Sequence, residues 1–366
     1  MKMDDAYSNR AYFSMALDPI HVGTGGYRLG RVDNTIVREP ATNIPKIPGT
    51  SMAGVARAYT AMQKGKYRWK ENDKEYCCAG KGGEQGENHC GKSDCPVCVT
   101  YGFSKGETGI SFQGLAQFSD ARILFFPVTT MVGPMWVTSP MRLEAAEIFF
   151  DGIEPGNWLE LNSKLSSEGG EYFFTTSSAV KNSNLNLGWL YLSSINTEAK
   201  IGTKAIAVPK EWKTKNESDF YCLTDCGINP AILNRIIIIS DRLFSHVVND
   251  NLEIRTSVAI DPATGAAESG ALFTYEAIPR GTILWFEVIY NNPKLFKVPN
   301  KGEKGIELKT IKKDKDKEAD IDWLKDNVES GLVLFGFLGV GGMGTRGMGR
   351  MKVLNINSRE ATNATT

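Results

Sequence analysis

The stretch "GVGGMGTRGMGR" (residues 339–350) holds six glycines in twelve positions, and how it is read decides how the rest of the chain is read. Gly339, Gly341 and Gly344 satisfy the G-x-G-x-x-G spacing of a dinucleotide-binding loop. That fingerprint works only between a strand and a helix of a βαβ unit, with an acid about 20 residues further on. Here 22 residues follow Gly344, and "MKVLNINSREATNATT" (351–366) reads as one strand and a tail, with Glu360 in the tail. The cofactor reading fails on space. Glycine keeps a physical purpose all the same. Without a Cβ the main-chain N–H groups can close on phosphate oxygens, and positive φ costs nothing. Arg346, Arg350 and Lys352 add positive charge at the same place, so the segment suits a sugar–phosphate backbone. A tight-turn loop without a ligand is the competing reading.

Bulk properties bound the answer. A chain of 366 residues with 42% hydrophobic and 23% charged residues is ordinary for a globular protein with a sizeable core. No run approaches the roughly 18 apolar residues a membrane span needs, and the first ten residues lack the apolar region of a signal peptide, so a cytoplasmic address is the expectation. The formal net charge is zero, yet its distribution is uneven: residues 21–70 carry nine Lys or Arg against Asp33 and Glu39, and residues 141–173 carry seven acids against Arg142 and Lys164. A neutral protein can still turn a basic face to a polyanion.

Along the chain, "AYFSMALDPI" (11–20) predicts a strand, "HVGTGGYRLG" (21–30) a glycine-rich loop, and "RVDNTIVRE" (31–39) a short β-leaning run. Thr50 or Ser51 caps a predicted helix with Met52, Val55, Ala56, Tyr59 and Met62 on one face, ending by Gly65. "NRIIIISDRLF" (234–244) reads as a buried strand or the start of a helix. "SGALFTYEAIPRGTILWFEVIYN" (269–291) reads as a hairpin turning at Pro279–Gly281, and "IDWLKDNVESGLVLFGFL" (321–338) as a helix to about Ser330. Residues 301–322 are a charge run expected to form a loose solvated loop, and residues 141–220 give no ordered pattern.

Residues 71–109 have no hydrophobic periodicity and hold five of the seven cysteines: Cys77, Cys78, Cys90, Cys95 and Cys98. Cys95-Pro-Val-Cys98 is a C-x-x-C knuckle, and Cys90, Cys95 and Cys98 with one of Cys77 or Cys78, or with the neighbouring His89, would give tetrahedral Zn2+. A structural metal would hold together a segment that lacks a core. Disulfides are the competing reading, without a secretion signal to support them. Cys222 and Cys226 read as ordinary buried thiols.

"HVGTGGYRLGRVDNTIVRE" with "IPKIPGTSMAGVARAY", then "SDARILFFPV" with "WVTSP", "RTSVAIDPATGAAESGALFTYEAIPRGT" (255–282) and the terminal "GGMGTRGMGRMKV" resemble the RAMP superfamily of CRISPR proteins, above all the backbone subunits of Cmr-type (type III-B) effector complexes. The resemblance implies an α+β fold: a single RAMP domain over 1–366 with a modified RNA-recognition (ferredoxin-like) core, a β-hairpin thumb near 241–270, a zinc-knuckle insertion at 71–109 and a flexible tail at 355–366. It implies copies of the chain stacked in a helical filament on a CRISPR RNA, alongside other subunits of the complex, and no membrane. Complementary target RNA would be cut beside each thumb with the help of Mg2+ or Mn2+.

The family's active aspartate falls on Asp33, as metal ligand or base, with His21 as phosphate contact or acid; a loop carboxylate paired to Arg28, Arg31 or Arg38 and a structural histidine are the competing readings. RNA contacts are expected from Gly25, Arg38, Thr50, Ser51, Arg57, Gly341, Gly342, Gly344, Arg346 and Arg350. Where many members carry Lys this chain has Ala53, which removes one phosphate contact. Glu268 and Glu276 are either exposed carboxylates or the completion of a metal site in a neighbouring subunit. A guide-binding subunit that does not cut, and a metal-independent nuclease that processes precursor RNA, are the alternatives.

Overall fold

The computed structural model describes residues 6–25, 32–150, 157–167, 170–177, 180, 183–195, 200–201, 204–205, 212–216, 219–302, 305–314 and 317–356. The elements that position the candidate site are, in chain order, β1 (Tyr7–Ala16), α1 (Gly49–Gln63), β2 (Ala121–Thr130), β3 (Gly133–Thr138), β4 (Ile236–Ile239), α2 (Asp241–Asp250), β5 (Glu253–Ile260), β6 (Ala267–Ala277), β7 (Ile283–Asn291), α3 (Ile321–Leu332) and β8 (Met351–Val353). One large sheet runs Asn184–Leu187, Leu190–Ser194, Gly170–Thr175, β4, β3, β2, β7, β1, β8. β1 lies antiparallel between β7 and β8, so strands from both ends of the chain meet at one edge.

The sheet separates two hydrophobic cores, and strand alternation feeds both. In β4, Ile237 and Ile239 enter one core while Ile236 and Ile238 enter the other. β1 sends Tyr12 to the first and Phe13 to the second. A run of four isoleucines is what a strand covered on both faces requires. The same run settles the reading of residues 234–244. The strand ends at Ile239, and Ser240 caps α2 by accepting the Leu243 N–H. The first core is covered by α1 and α3. The second is built largely from the segment the sequence left unordered: Leu143, Ile148, Phe150, Trp158, Leu161 and Trp212 are all buried there, with the Phe150 and Trp212 rings 4.8 Å apart.

Several local expectations are corrected. α1 begins without Thr50 or Ser51 as its cap; the Asp120 carboxylate accepts the Gly49 N–H at 2.8 Å instead. Met62 is 41% exposed, and Thr60 and Ala61 face the core in its place. Residues 31–39 form no strand among the described residues but a series of isolated bridges, Gly23 to Ile36, Asn34 to Tyr275 and Arg38 to Pro45. Pro279–Gly281 is no hairpin turn: β6 pairs with β5, whereas β7 pairs with β1 and β2, because the Gly281 N–H donates to Ala16 and carries the chain into the central sheet. The ribbon expected near 241–270 is β5–β6, since residues 241–250 are helical. Part of the charge run belongs to a second ribbon, Lys297–Gly302 against Gly305–Thr310, and the run is not wholly solvated, since Ile311 and Ala319 are buried. In the tail, the Asn355 side chain accepts the Phe13 N–H; residues 357–366 lie outside the described ones. The cysteine-rich segment has a core after all. Its helix Pro96–Tyr101 buries Val97, Cys98 and Val99 in the first core, packed against α1 and α3. No described helix is long and apolar enough to cross a membrane.

α1 and α3 approach so closely that a Cβ on Gly331 would lie 2.6 Å from the Ala56 carbonyl oxygen and 2.4 Å from Thr60 Oγ1. Gly→Ala inside a helix ordinarily gains about 1 kcal/mol. Overpacking against main-chain atoms costs about 1–3 kcal/mol and outweighs it. Gly331→Ala is therefore expected to lower the urea midpoint; an unchanged or raised midpoint would show that the helices slide apart freely.

Candidate nucleic-acid interface and metal centre

The terminal glycine segment meets residues 17–21, which lead into the first glycine-rich segment more than 300 residues earlier. The Gly342 N–H donates to the His21 carbonyl at 2.8 Å, Gly349 to Pro19 at 2.9 Å, and Leu17 to Arg350 at 2.8 Å. Gly341 has φ of +88°, and a Cβ there would lie 2.5 Å from the His21 carbonyl oxygen, so no side chain fits. Between these anchors Gly341, Gly342 and Gly344–Gly347 are exposed, with Gly344–Arg346 forming a single 3-10 turn. Gly25 is exposed at φ of +71°; residues 26–31, including Arg28 and Arg31, lie outside the described residues.

His21 is only 5% exposed. Its Nδ1 lies 2.7 Å from the Glu276 carbonyl, which assigns the proton to Nδ1, and its ring meets Tyr275 edge-on at 5.7 Å. It is a packed loop histidine that holds the strand of Glu276 to the glycine segment. Asp33 is half-buried. Its Oδ2 accepts from both the N–H and the hydroxyl of Thr274 at 2.8 Å, while its own N–H donates to that hydroxyl at 3.0 Å. The Thr274 N–H first, and its hydroxyl second, hold the Asp33 carboxyl below the usual carboxylate range. No cation pairs with Asp33 among the described residues.

The expected cations distribute differently. The Arg38 guanidinium pairs with Glu276 at 2.6 Å and donates to Asn249 and to the Ile36 carbonyl, so it is committed internally. Glu276 is accordingly buried rather than exposed, while Glu268 is exposed. Arg346 donates to the Tyr275 hydroxyl at 2.7 Å, and Arg350 pairs with Asp18 at 2.5 Å on the surface. Tyr59 of α1 donates to the Gly339 carbonyl at 2.8 Å. Thr50 and Ser51 are nine and eight residues before it, up to roughly 14 Å along the helix, and no described contact joins them to the glycine segment.

Arg57 is the clearest correction. It points into the cysteine-rich segment, donating to the Cys78 carbonyl at 2.7 Å and lying 3.2 Å from His89 Nδ1. Burial first, and the Arg57 charge second, lower His89 to about 4, so the ring is neutral and turned toward Arg57. The ligand atoms of Cys78, Cys90, Cys95 and Cys98 all lie within 4.8 Å of one another. Sulfur separations of 3.4 to 3.8 Å compare with about 3.8 Å for the edge of a tetrahedron of ~2.3 Å zinc–sulfur bonds. They are far beyond a disulfide bond of about 2.05 Å. The donor set therefore fits a tetrahedral metal ion, with Cys78 and not Cys77 or His89 as fourth member. Cys77 Sγ instead approaches the Ala79 carbonyl. Burial raises the Cys226 thiol to about 11, as for an inert thiol.

Thr274 and Tyr275 had no local signal. A Thr-Tyr-Glu run inside a strand is common, and only the pairing of β6 with residues 33–36 gives it meaning.

The RAMP superfamily model matches residues 15–352, and the chain belongs to that superfamily. Among curated relatives, the CRISPR system Cmr endoribonuclease Cmr4 of Pyrococcus furiosus is 27% identical over 282 residues, covering 76% of this chain and 80% of the relative. Among solved structures, a chain of the type III-B Cmr-β complex in its apo state superposes with a TM-score of 0.54 at 16% identity, covering 94% of this chain and 96% of that one. A chain of the same assembly bound to cognate target RNA gives 0.54 at 16% over 96% and 98%. A crystal structure of Cmr4 gives 0.50 at 18% over 95% and 100%. At these identities the structural likeness is one of fold.

The sulfur geometry yields a direct check. The purified chain is expected to carry about one zinc equivalent by plasma mass spectrometry. Cys78→Ser should lose it and Cys77→Ser should retain it. Equal loss in both would overturn the four-cysteine assignment.

Proposed function

We propose that the chain is a guide-binding backbone subunit of a type III-B effector ribonucleoprotein, assembled from several copies, which cuts complementary target RNA once per subunit. Family membership and the name of the Pyrococcus relative support the class of activity. The observation that carries the reading for this chain is the convergence of both glycine segments around one strand: Thr274, Tyr275 and Glu276 of β6 hold Asp33, Arg346 and Arg38, and the Glu276 carbonyl holds His21. On this reading the guide backbone lies along the N–H groups of Gly341, Met343, Gly344 and Thr345, which have no described acceptor, with Arg346 beside it, and α1 presents Thr50 and Ser51 further along the strand. Gly25 extends the same main-chain surface. Arg38 and Arg57 act through internal partners, and Arg350 holds Asp18 at the surface beside the glycine segment.

Asp33 faces the scissile link. RNA supplies its own nucleophile in the 2′-hydroxyl, which would attack the adjacent phosphorus to give a 2′,3′-cyclic phosphate and expel the 5′-oxygen, protonated by water. The protein must orient that hydroxyl, take up the 2′ proton and offset charge on the phosphate. A bound Mg2+ or Mn2+ would supply the Lewis acidity that offsets that charge. An ionised carboxylate with Oδ1 free of any described hydrogen-bond donor suits either the proton-accepting role or that of cation ligand. Zn2+ at Cys78, Cys90, Cys95 and Cys98 is structural, with Arg57 beside the tetrathiolate as its counter-charge.

In reconstituted complex, Asp33→Ala is expected to slow target cutting by about 100-fold or more while leaving guide affinity unchanged. Full-rate, metal-dependent cutting by that variant would leave a subunit that only binds. Cutting by the isolated chain in EDTA would favour the processing nuclease. Guide affinity should fall steeply with salt, with a logarithmic slope of about −0.7 per phosphate contact on a single strand. Arg346→Ala should flatten that slope by roughly one contact, measured by fluorescence anisotropy.

A further inference from the structure

We infer that Thr274 is a positioning residue for cutting: its hydroxyl locks the Asp33 side chain in one rotamer and leaves a single carboxylate oxygen, Oδ1, to meet the cation or the 2′-hydroxyl. The inference rests on the cutting role of Asp33. The geometry is reciprocal. The Thr274 hydroxyl accepts the Asp33 main-chain N–H at 3.0 Å and donates to Asp33 Oδ2 at 2.8 Å, so one oxygen bridges the backbone and side chain of the same residue. The Thr274 N–H adds a second bond to Oδ2 at 2.8 Å, and the Asn34 N–H donates to the Thr274 carbonyl at 3.1 Å. With the Asn34 side-chain amide donating to the same carbonyl at 3.4 Å, five hydrogen bonds join residues 33–34 to one residue of β6. Asp33 sits in a segment with no strand of its own, and without this clamp its carboxylate would sample several rotamers.

Thr274 also stands where the β5–β6 ribbon changes character. Tyr275, Glu276 and Ala277 are buried, whereas Leu272, Val258 and Ile260 on the far side are 63%, 43% and 57% exposed. The carboxylate is therefore held by the half-buried residue that precedes the buried root, and a displacement of the exposed arm is passed to Asp33 through Thr274. Thr256, opposite Thr274 in the ribbon, lies on the same face, is exposed, and makes no hydrogen bond to Asp33 among those described. It serves as the control hydroxyl.

The test compares Thr274→Val, Thr274→Ser and Thr256→Val in reconstituted complex, by single-turnover cleavage of saturating target across a Mg2+ series, with guide and target affinities and thermal midpoints recorded. Thr274→Val keeps the volume and the main-chain donor but removes both bonds of the hydroxyl. It is expected to slow cutting by about 10- to 100-fold and to raise the half-saturating Mg2+ by about 10-fold, the usual cost of losing an outer partner of a ligand. Guide and target affinities should stay unchanged, and the midpoint should fall only slightly, because the half-buried Asp33 N–H loses its acceptor. Thr274→Ser, which keeps the hydroxyl, should restore cutting, and Thr256→Val should cut at the wild-type rate. Should Thr274→Val fail to assemble, Thr274→Ala makes the same deletion without the branched side chain and should show the same loss. Wild-type rate and Mg2+ dependence in Thr274→Val, or equal impairment in Thr274→Ser or Thr256→Val, would overturn the inference while Asp33→Ala remains inactive. Full cutting by Asp33→Ala would instead remove the proposed role of Asp33, and this inference with it.

Discussion

Strand β6 is the constraint on which the candidate site depends. Thr274, Tyr275 and Glu276 are consecutive, so alternation sends the first and third side chains to one face and the second to the other. Thr274 and Glu276 take hold of residues 33–38, and Tyr275 faces the His21 ring and Arg346. Residues 32–38 have few ladder bonds of their own, and their main-chain donors must be satisfied elsewhere. The Thr274 hydroxyl accepts from Asp33, the Thr274 carbonyl from Asn34, and the Glu276 carboxylate from Ile36 at 3.3 Å. The segment is extended because a neighbouring strand supplies acceptors at the right spacing.

Charge is spent inward to a degree that the neutral composition conceals. Arg38 and Glu276 form a largely buried pair, a costly arrangement that fixes geometry more than it adds stability. Arg142 and Glu39 form another. Arg57 is committed to Cys78 and His89. On the proposed function, what the glycine segment would offer a phosphate strand, among the described residues, is the N–H groups of Gly341, Met343, Gly344 and Thr345, with Arg346 beside them. Main-chain recognition of this kind is independent of base sequence.

The metal centre and the candidate nucleic-acid interface are connected through α1. That helix contributes Arg57 to the cysteine cluster and Tyr59 to the start of the glycine segment, at Gly339. Residues two apart on a helix diverge by roughly 200°, so one short stretch of helix serves two sites on different sides. The helix Pro96–Tyr101, which carries Cys98, packs against both α1 and α3. A tetrahedral ion among the four sulfurs would thereby brace the helix that braces the glycine segment.

Much of this was legible in the chain itself. The C-x-x-C knuckle and the helix after Gly49 are local patterns that report their chemistry or element through spacing, whereas the isoleucine run signalled burial and left strand and helix open. The space left after Gly344 was enough to discard a dinucleotide site. The order of motifs from residue 11 to residue 353 was enough to place the chain among RAMP proteins. What local pattern does not carry is which residue pairs with which across long separations. Cys78 rather than Cys77, Arg57 turned toward the cysteines, Glu276 buried, β6 paired with β5 instead of β7, and Thr274 clamped to Asp33 all depend on contacts between residues that are neighbours only after folding. Residue types and their periods belong to the sequence. The partner of each buried charge and each main-chain donor is decided when the sheet closes, because an unpaired polar group in the interior costs more than any local preference can offset.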